Sequence, residues 1–266
     1  MSIELSAVEE TLFIPLWRRA QVSKKYPSLL YDPKAVELVE TIDYNFSCID
    51  GEFNSKLMSA VRAKHLDDET RAYIAEHPHA SVINLGAGLD TGFWRVDNGL
   101  IEWYDLDLPN VVALRQQLIP ETGRTHYIAK SLFDMSWCND IKHTNDGVFI
   151  VSGAVLAYFK EPQVRRFFSS LADGLPGAEM VFNTFSTPEV SRLNKGLHRI
   201  GLEGATIKWA LDDVNKLSAW DARITVIDAF PYFKNIRRDP EWGEETIKKI
   251  NLNEKQKLLS IVHVRF

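Results

Sequence analysis

A chain of 266 residues, 45% apolar and 25% charged, has the composition of an ordinary globular protein and is long enough to bury a large core. Its formal net charge of -5 speaks against the basic face on which general nucleic-acid binding rests. Two cysteines, Cys48 and Cys138, without CxxC or Cys/His spacing, supply neither a zinc ligand set nor a disulfide framework, so free thiols and no metal site are expected.

Residues 1–5 are acidic where a secretion signal would be basic, and no apolar core follows them. No window approaches the ~18–20 uninterrupted apolar residues of a membrane span, so a cytoplasmic protein without membrane partners is expected. The first eighty residues are helical in pattern. One helix is predicted over 7–20, and a second over 33–42 with Pro33 in its first turn after Asp32. A third, capped by Asn54, runs to Glu76, where His77-Pro78 ends it. Within the third, Leu57, Val61, His65 and Leu66 share one side at helical spacing. His65, Asp67, Asp68 and Glu69 lack the HExxH order of a metal helix and are expected on a solvated face.

From Ser81 the texture changes. Short β-type runs at 81–85, 101–104, 126–129, 147–152 and 178–182 alternate with helical stretches, of which 108–118 and 162–172 are the clearest. Such alternation predicts right-handed β-α-β units and an α/β, doubly wound, mainly parallel sheet. Two further runs, 224–227 and 258–264, flank a charged helix over 240–257 and suit an edge hairpin. The chain is expected to form a single domain over 1–266, with a helical cap at 1–79 and an α/β core at 80–266.

The first strand ends in Gly86-Ala87-Gly88, and glycines there allow a tight turn and close approach of a ligand. Asp105 and Asp107, 19 and 21 residues beyond Gly86, stand where an acid at the end of the second strand accepts bonds from ribose hydroxyls. These features alone suit NAD or S-adenosylmethionine. The third glycine of the dinucleotide fingerprint is replaced by Thr91, which leans toward a ligand without a pyrophosphate.

The runs RAKHLDDE (62–69), INLGAGLDTGFWRVDNG (83–99), WYDLDLPNVVALR (103–115), YIAKSLFD (127–134) and VLAYF (155–159) resemble the leucine carboxyl methyltransferase-like family, in its bacterial branch of small-molecule O-methyltransferases. The resemblance extends to 19–40, 172–186 and 261–266. It implies a seven-stranded Rossmann-like methyltransferase fold, S-adenosylmethionine as cofactor and a small-molecule carboxylate or hydroxyl as acceptor. By the same resemblance Arg62 holds the methionine carboxylate, Gly86, Ala87 and Gly88 line the methionine and ribose, and Asp107 binds the ribose, with Asp105 the second candidate. Ser131 and Leu132 surround the adenine with Asp134 nearby, and Arg19 or its neighbour Arg18 closes over the cofactor. Tyr158 and His198, with Lys195 beside it, are candidate acceptor contacts, and no catalytic base stands out. Three positions depart from the family pattern: Gly92 replaces an arginine, Gly153 a glutamate that would meet the cofactor ammonium, and Asn183 an aspartate common in bacterial relatives. These departures keep open a second reading, a non-catalytic binding protein on the same fold.

Overall fold

The computed structural model describes residues 7–199 and 206–266; the acidic start read at 1–5 lies outside them. Three helices come first: α1 (Ala7–Lys25), α2 (Pro33–Thr41) and α3 (Phe53–Glu76). Asp32 caps α2 by accepting from the Ala35 amide at 3.0 Å, with Pro33 preset for the first turn. Helix α3 begins earlier than expected: Glu52 holds the cap position, without a side-chain bond, and Asn54 falls inside the first turn. Its apolar face is as predicted, Leu57, Val61, His65 and Leu66 all being buried.

The sheet then alternates with helices: β1 (Ser81–Leu85), α4 (Gly92–Val96), β2 (Glu102–Asp107), α5 (Pro109–Leu118), β3 (Thr125–Ala129), β4 (Val148–Ser152), α6 (Glu161–Gly174), β5 (Glu179–Phe185) and α7 (Thr187–Arg199). Then follow α8 (Lys216–Trp220), β6 (Thr225–Pro231), α9 (Glu244–Lys255) and β7 (Leu259–Arg265). The seven strands run in the order β3-β2-β1-β4-β5-β7-β6; the first five are parallel, and β7 inserts antiparallel between β5 and β6. The predicted edge hairpin is therefore present, and the fold is the expected mainly parallel α/β sheet.

Alternation along each strand sorts the core into two faces. Val82, Trp103, Phe149 and Val181 join the α3 side, while Ile83, Tyr104, Ile150 and Met180 join the α6 side with Val164, Phe167 and Phe168. A third cluster, with Phe13, Leu16, Ala20, Ala35 and Leu38, takes in Leu89 of the glycine loop. The N-terminal helices thus pack on the loop itself. Strand order reverses between β1 and β4, and the crevice beyond their carboxyl ends is where an open α/β sheet holds its ligand.

Candidate cofactor and acceptor site

The loop after β1 turns through two left-handed glycines, Gly86 (φ 63°) and Gly88 (φ 49°). A Cβ on Gly86 would stand 2.6 Å from Val155 Cβ, and one on Gly88 would stand 3.1 Å from Leu12 Cδ2. Both glycines are thus required by close neighbours as well as by backbone conformation.

The loop is held by arginines on either side. Arg19 of α1 donates to the Leu89 carbonyl at 3.1 Å, and Arg115 of α5 donates to the carbonyls of Gly88 (3.0 Å) and Asp90 (2.8 Å). Below it, Arg95 of α4 is bidentate to Asp67 (2.7 and 3.0 Å), reaches Asp32 at 2.8 Å, and lies 3.4 Å from Asp90. Thr91 donates to Asp32 and accepts from Arg95, so the residue in place of a third glycine ties α4 to the cap. Although burial works against it, Arg95, Arg19 and Arg115 hold the Asp90 carboxyl well below the ordinary carboxylate range. Burial outweighs Arg95 at Asp67, whose carboxyl is pushed up.

This cluster corrects several expectations. Asp67 and His65 are not on a solvated face: Asp67 is buried under Arg95, and His65 Nε2 meets the Tyr232 carbonyl at 2.5 Å with its ring against Phe230. Asp105 is only 1% exposed, is paired with Arg115 at 2.6 Å, and accepts from Trp103 Nε1 and Asn84 Nδ2 at 2.9 Å. It fastens the sheet and is buried too deeply to meet a ribose. Arg19 is likewise committed to Asp32, Asp90 and Leu89, so it is the neighbouring Arg18, 100° around the helix, that faces the crevice. Gly92 does not line the crevice either; a Cβ there would meet Asp90 Oδ2 at 2.7 Å and Trp103 at 3.1 Å.

The crevice itself gathers the remaining candidates. Asp107, at the carboxyl end of β2, accepts from the Gly88 amide at 2.8 Å and the Leu108 amide at 2.7 Å. Each oxygen accepts one bond and so keeps the capacity for another, the requirement for a ribose diol. Burial pushes its carboxyl above the usual range despite the two amides. Leu132 is buried and Ser131 half-buried in the loop after β3, whose Phe133 packs edge-on at 4.7 Å against Phe159 beyond β4. Asp134, exposed, caps the following 3-10 turn by accepting from the Ser136 amide at 3.1 Å. His198 and Lys195 lie on the exposed side of α7.

Arg62 on α3 faces Gly153, where a Cβ would stand 3.9 Å from its Nε and 3.6 Å from Leu66. Arg18 lies close enough that burial and then the charge of Arg62 lower its guanidinium to about 10, while Tyr158 opposes the shift. Among the described residues neither arginine has a carboxylate in salt-bridge range, and Arg18 Nε is buried without a partner. Tyr158 lies beside both arginines; burial raises its phenol against the pull of Arg62 and Arg18. Tyr232, beyond β6, places its buried hydroxyl close beside Arg62, whose guanidinium opposes the rise that burial imposes on the phenol; the hydroxyl proton has no acceptor among the described residues. Two unpaired guanidiniums beside two left-handed glycines and an outward acid fit an amino-acid carboxylate joined to a ribose.

The sequence signature of the leucine carboxyl methyltransferases matches residues 13–172. The chain belongs to the leucine carboxyl methyltransferase family. The tetracenomycin polyketide synthesis O-methyltransferase TcmP of Streptomyces glaucescens is 29% identical over 219 residues, covering 82% of this chain and 80% of that protein. The S-adenosyl-L-methionine-dependent methyltransferase dpfgK of Gibberella zeae is 26% identical over 238 residues, 81% of this chain and 79% of that protein. Among solved structures, a DUF574 family protein from Streptomyces avermitilis superposes with a TM-score of 0.56 at 12% identity, over 83% of this chain and 94% of that one. A methyltransferase from Anabaena variabilis superposes at 0.54 and 11% identity, over 92% and 94%. These likenesses give the fold; the family gives the activity. The protein is an S-adenosylmethionine-dependent methyltransferase.

Proposed function

We propose that this methyltransferase esterifies a carboxylate on a small molecule. The observation that carries the reading is the charge around Arg62: among the described residues Arg18 and Arg62 have no carboxylate in salt-bridge range, and the side chains their charge meets, Tyr158 and Tyr232, are phenols. Tyr158 and Tyr232 are phenols with raised pKa, and the buried carboxylate whose charge acts on Tyr232, Glu189, is bridged to Arg192 at 2.5 Å. A phenol or alcohol acceptor would need a general base, whereas a carboxylate arrives already ionised.

Arg18 and Arg62 would hold the cofactor's carboxylate, Gly86 to Gly88 its methionine and ribose segment, Asp107 its ribose, and Ser131 with Leu132 its adenine. S-adenosylmethionine supplies the electrophilic methyl, so the protein's part is alignment and exclusion of water. The buried Leu66 and the half-buried Tyr158 supply apolar walls for that purpose. With the cofactor's single carboxylate bound, two guanidiniums still leave a positive field, which favours an anionic acceptor.

The test is transfer of labelled methyl from S-adenosylmethionine to benzoate and, separately, to phenol. A methyl ester releases labelled methanol in mild alkali. Base-labile label from benzoate is the expected result; alkali-stable label from phenol alone would overturn the carboxylate reading.

Position 153 gives a second expectation. The space at Gly153 accepts a Cβ without collision, so Gly153→Glu should fold and place a carboxylate beside Arg62. Two new charge-assisted contacts, to Arg62 and to the cofactor ammonium, should tighten S-adenosylmethionine by roughly tenfold. The same charge should weaken carboxylate acceptors. Isothermal titration and acceptor KM measure the two effects, and weaker cofactor binding would show that the crevice serves the ammonium differently.

A further inference from the structure

Asn183 sits on β5 between Val181 and Phe185, both of which point into the core that contains Leu66 and Tyr232. Strand alternation therefore puts its amide on the α3 face of the sheet, over the carboxyl end of β5. The side chain is 2% exposed. Its Oδ1 accepts from the Ala154 amide at 2.6 Å, which fixes the orientation of the group: the oxygen faces the loop after β4 and Nδ2 points the other way. Nδ2 has no partner. Buried donors are almost always satisfied, so an orphan in a fixed orientation marks a place for something absent from the chain.

It is not alone. Ala154 follows Gly153, which faces Arg62, and beside Arg62 stands the orphaned hydroxyl of Tyr232. The register agrees: Asn183 pairs with Ile261 of β7, Ile261 pairs with Phe230 of β6, and Tyr232 follows two residues later. Asn183 Nδ2 and Tyr232 Oη are thus two neutral, buried donors on the α3 face of the sheet. Donors of this kind match an oxyanion and offer little to an ammonium.

We propose that Asn183 and Tyr232 are acceptor-binding residues, donating from Nδ2 and Oη to the oxygens of the substrate carboxylate. This rests on the carboxylate reading above. In this arrangement Asn183 also sets specificity. An aspartate would keep the bond to Ala154 but replace the donor by a second acceptor and a negative charge, which repels a carboxylate.

The experiment titrates benzoate into protein saturated with S-adenosylhomocysteine. Wild type should bind, Asn183→Asp should bind benzoate at least tenfold more weakly, and the affinity of both for S-adenosylhomocysteine alone should agree within about twofold. Tyr232→Phe supplies an independent arm. Removing an unsatisfied buried hydroxyl should leave thermal stability unchanged or raised, yet weaken benzoate severalfold. Equal benzoate affinity in wild type and either variant would overturn the proposal, as would absence of benzoate binding to the wild-type complex. Failure of the carboxylate reading has a different signature, alkali-stable label in the transfer assay.

Discussion

Arg95→Met is expected to destabilise the protein by about 3–5 kcal/mol, because it leaves Asp67 buried without a cation and Asp32 and Asp90 with Arg19 alone. The side chain of Arg95 is 3% exposed, those of Asp32 and Asp67 0% and 5%, so water cannot take over its role. For a chain of this length the melting temperature should fall on the order of 10 °C. Arg95→Lys should fall between, since an ammonium is a point charge and cannot fork to two carboxylates as a guanidinium does. Scanning calorimetry with both variants checks this. A loss under about 1 kcal/mol in Arg95→Met would mean that the cluster neutralises itself by protonation, for which Asp67, with its raised carboxyl, is the first candidate.

Asp107→Ala should lower affinity for S-adenosylhomocysteine by at least about a hundredfold, given roughly 1.5–3 kcal/mol for each charged bond to a ribose hydroxyl. The wild-type affinity should also fall with acid. Asp107 must be ionised to accept both hydroxyl protons, and its pKa in the folded protein is raised, so binding is fully present above that pKa and is lost as pH falls through it. The loss should therefore begin at higher pH than for an ordinary aspartate near ~3.9. Titration calorimetry across pH, on wild type and Asp107→Ala, tests both statements. A pH profile unchanged by the substitution would assign the titration to another group.

Much of this was legible from residue order. β1 occupies the predicted span, and every predicted strand exists, because apolar alternation and glycine ends are local signals. The errors have specific causes. β2 and β5 run past their predicted ends because Asp105, Asp107, Asn183 and Thr184 interrupt the apolar pattern while their backbones stay in the ladder. Asp105 and Asp107 point to the same face of one strand, and only the depth of Arg115 separates a structural acid from an outward one. Arg18 and Arg19 are neighbours in sequence and differ by the rotation of α1, which tertiary packing sets. Tyr232 had no local signal at all: its place beside Arg62 exists only once β7 has brought β6 to β5. Asn183 drew attention as a departure, but its orphaned Nδ2 could be seen only with Ala154 in place.

The close approach of Gly86 to Val155 has a consequence for how the two loops can change. A 2.6 Å separation between a hypothetical methyl and Val155 Cβ means that one volume is shared by two positions 69 residues apart. Any gain in bulk after β1 must be met by a loss after β4, or the strand ends part. The two loops are therefore interchangeable between relatives only as a matched set, and a graft of either one alone carries a steric debt from the loop left behind.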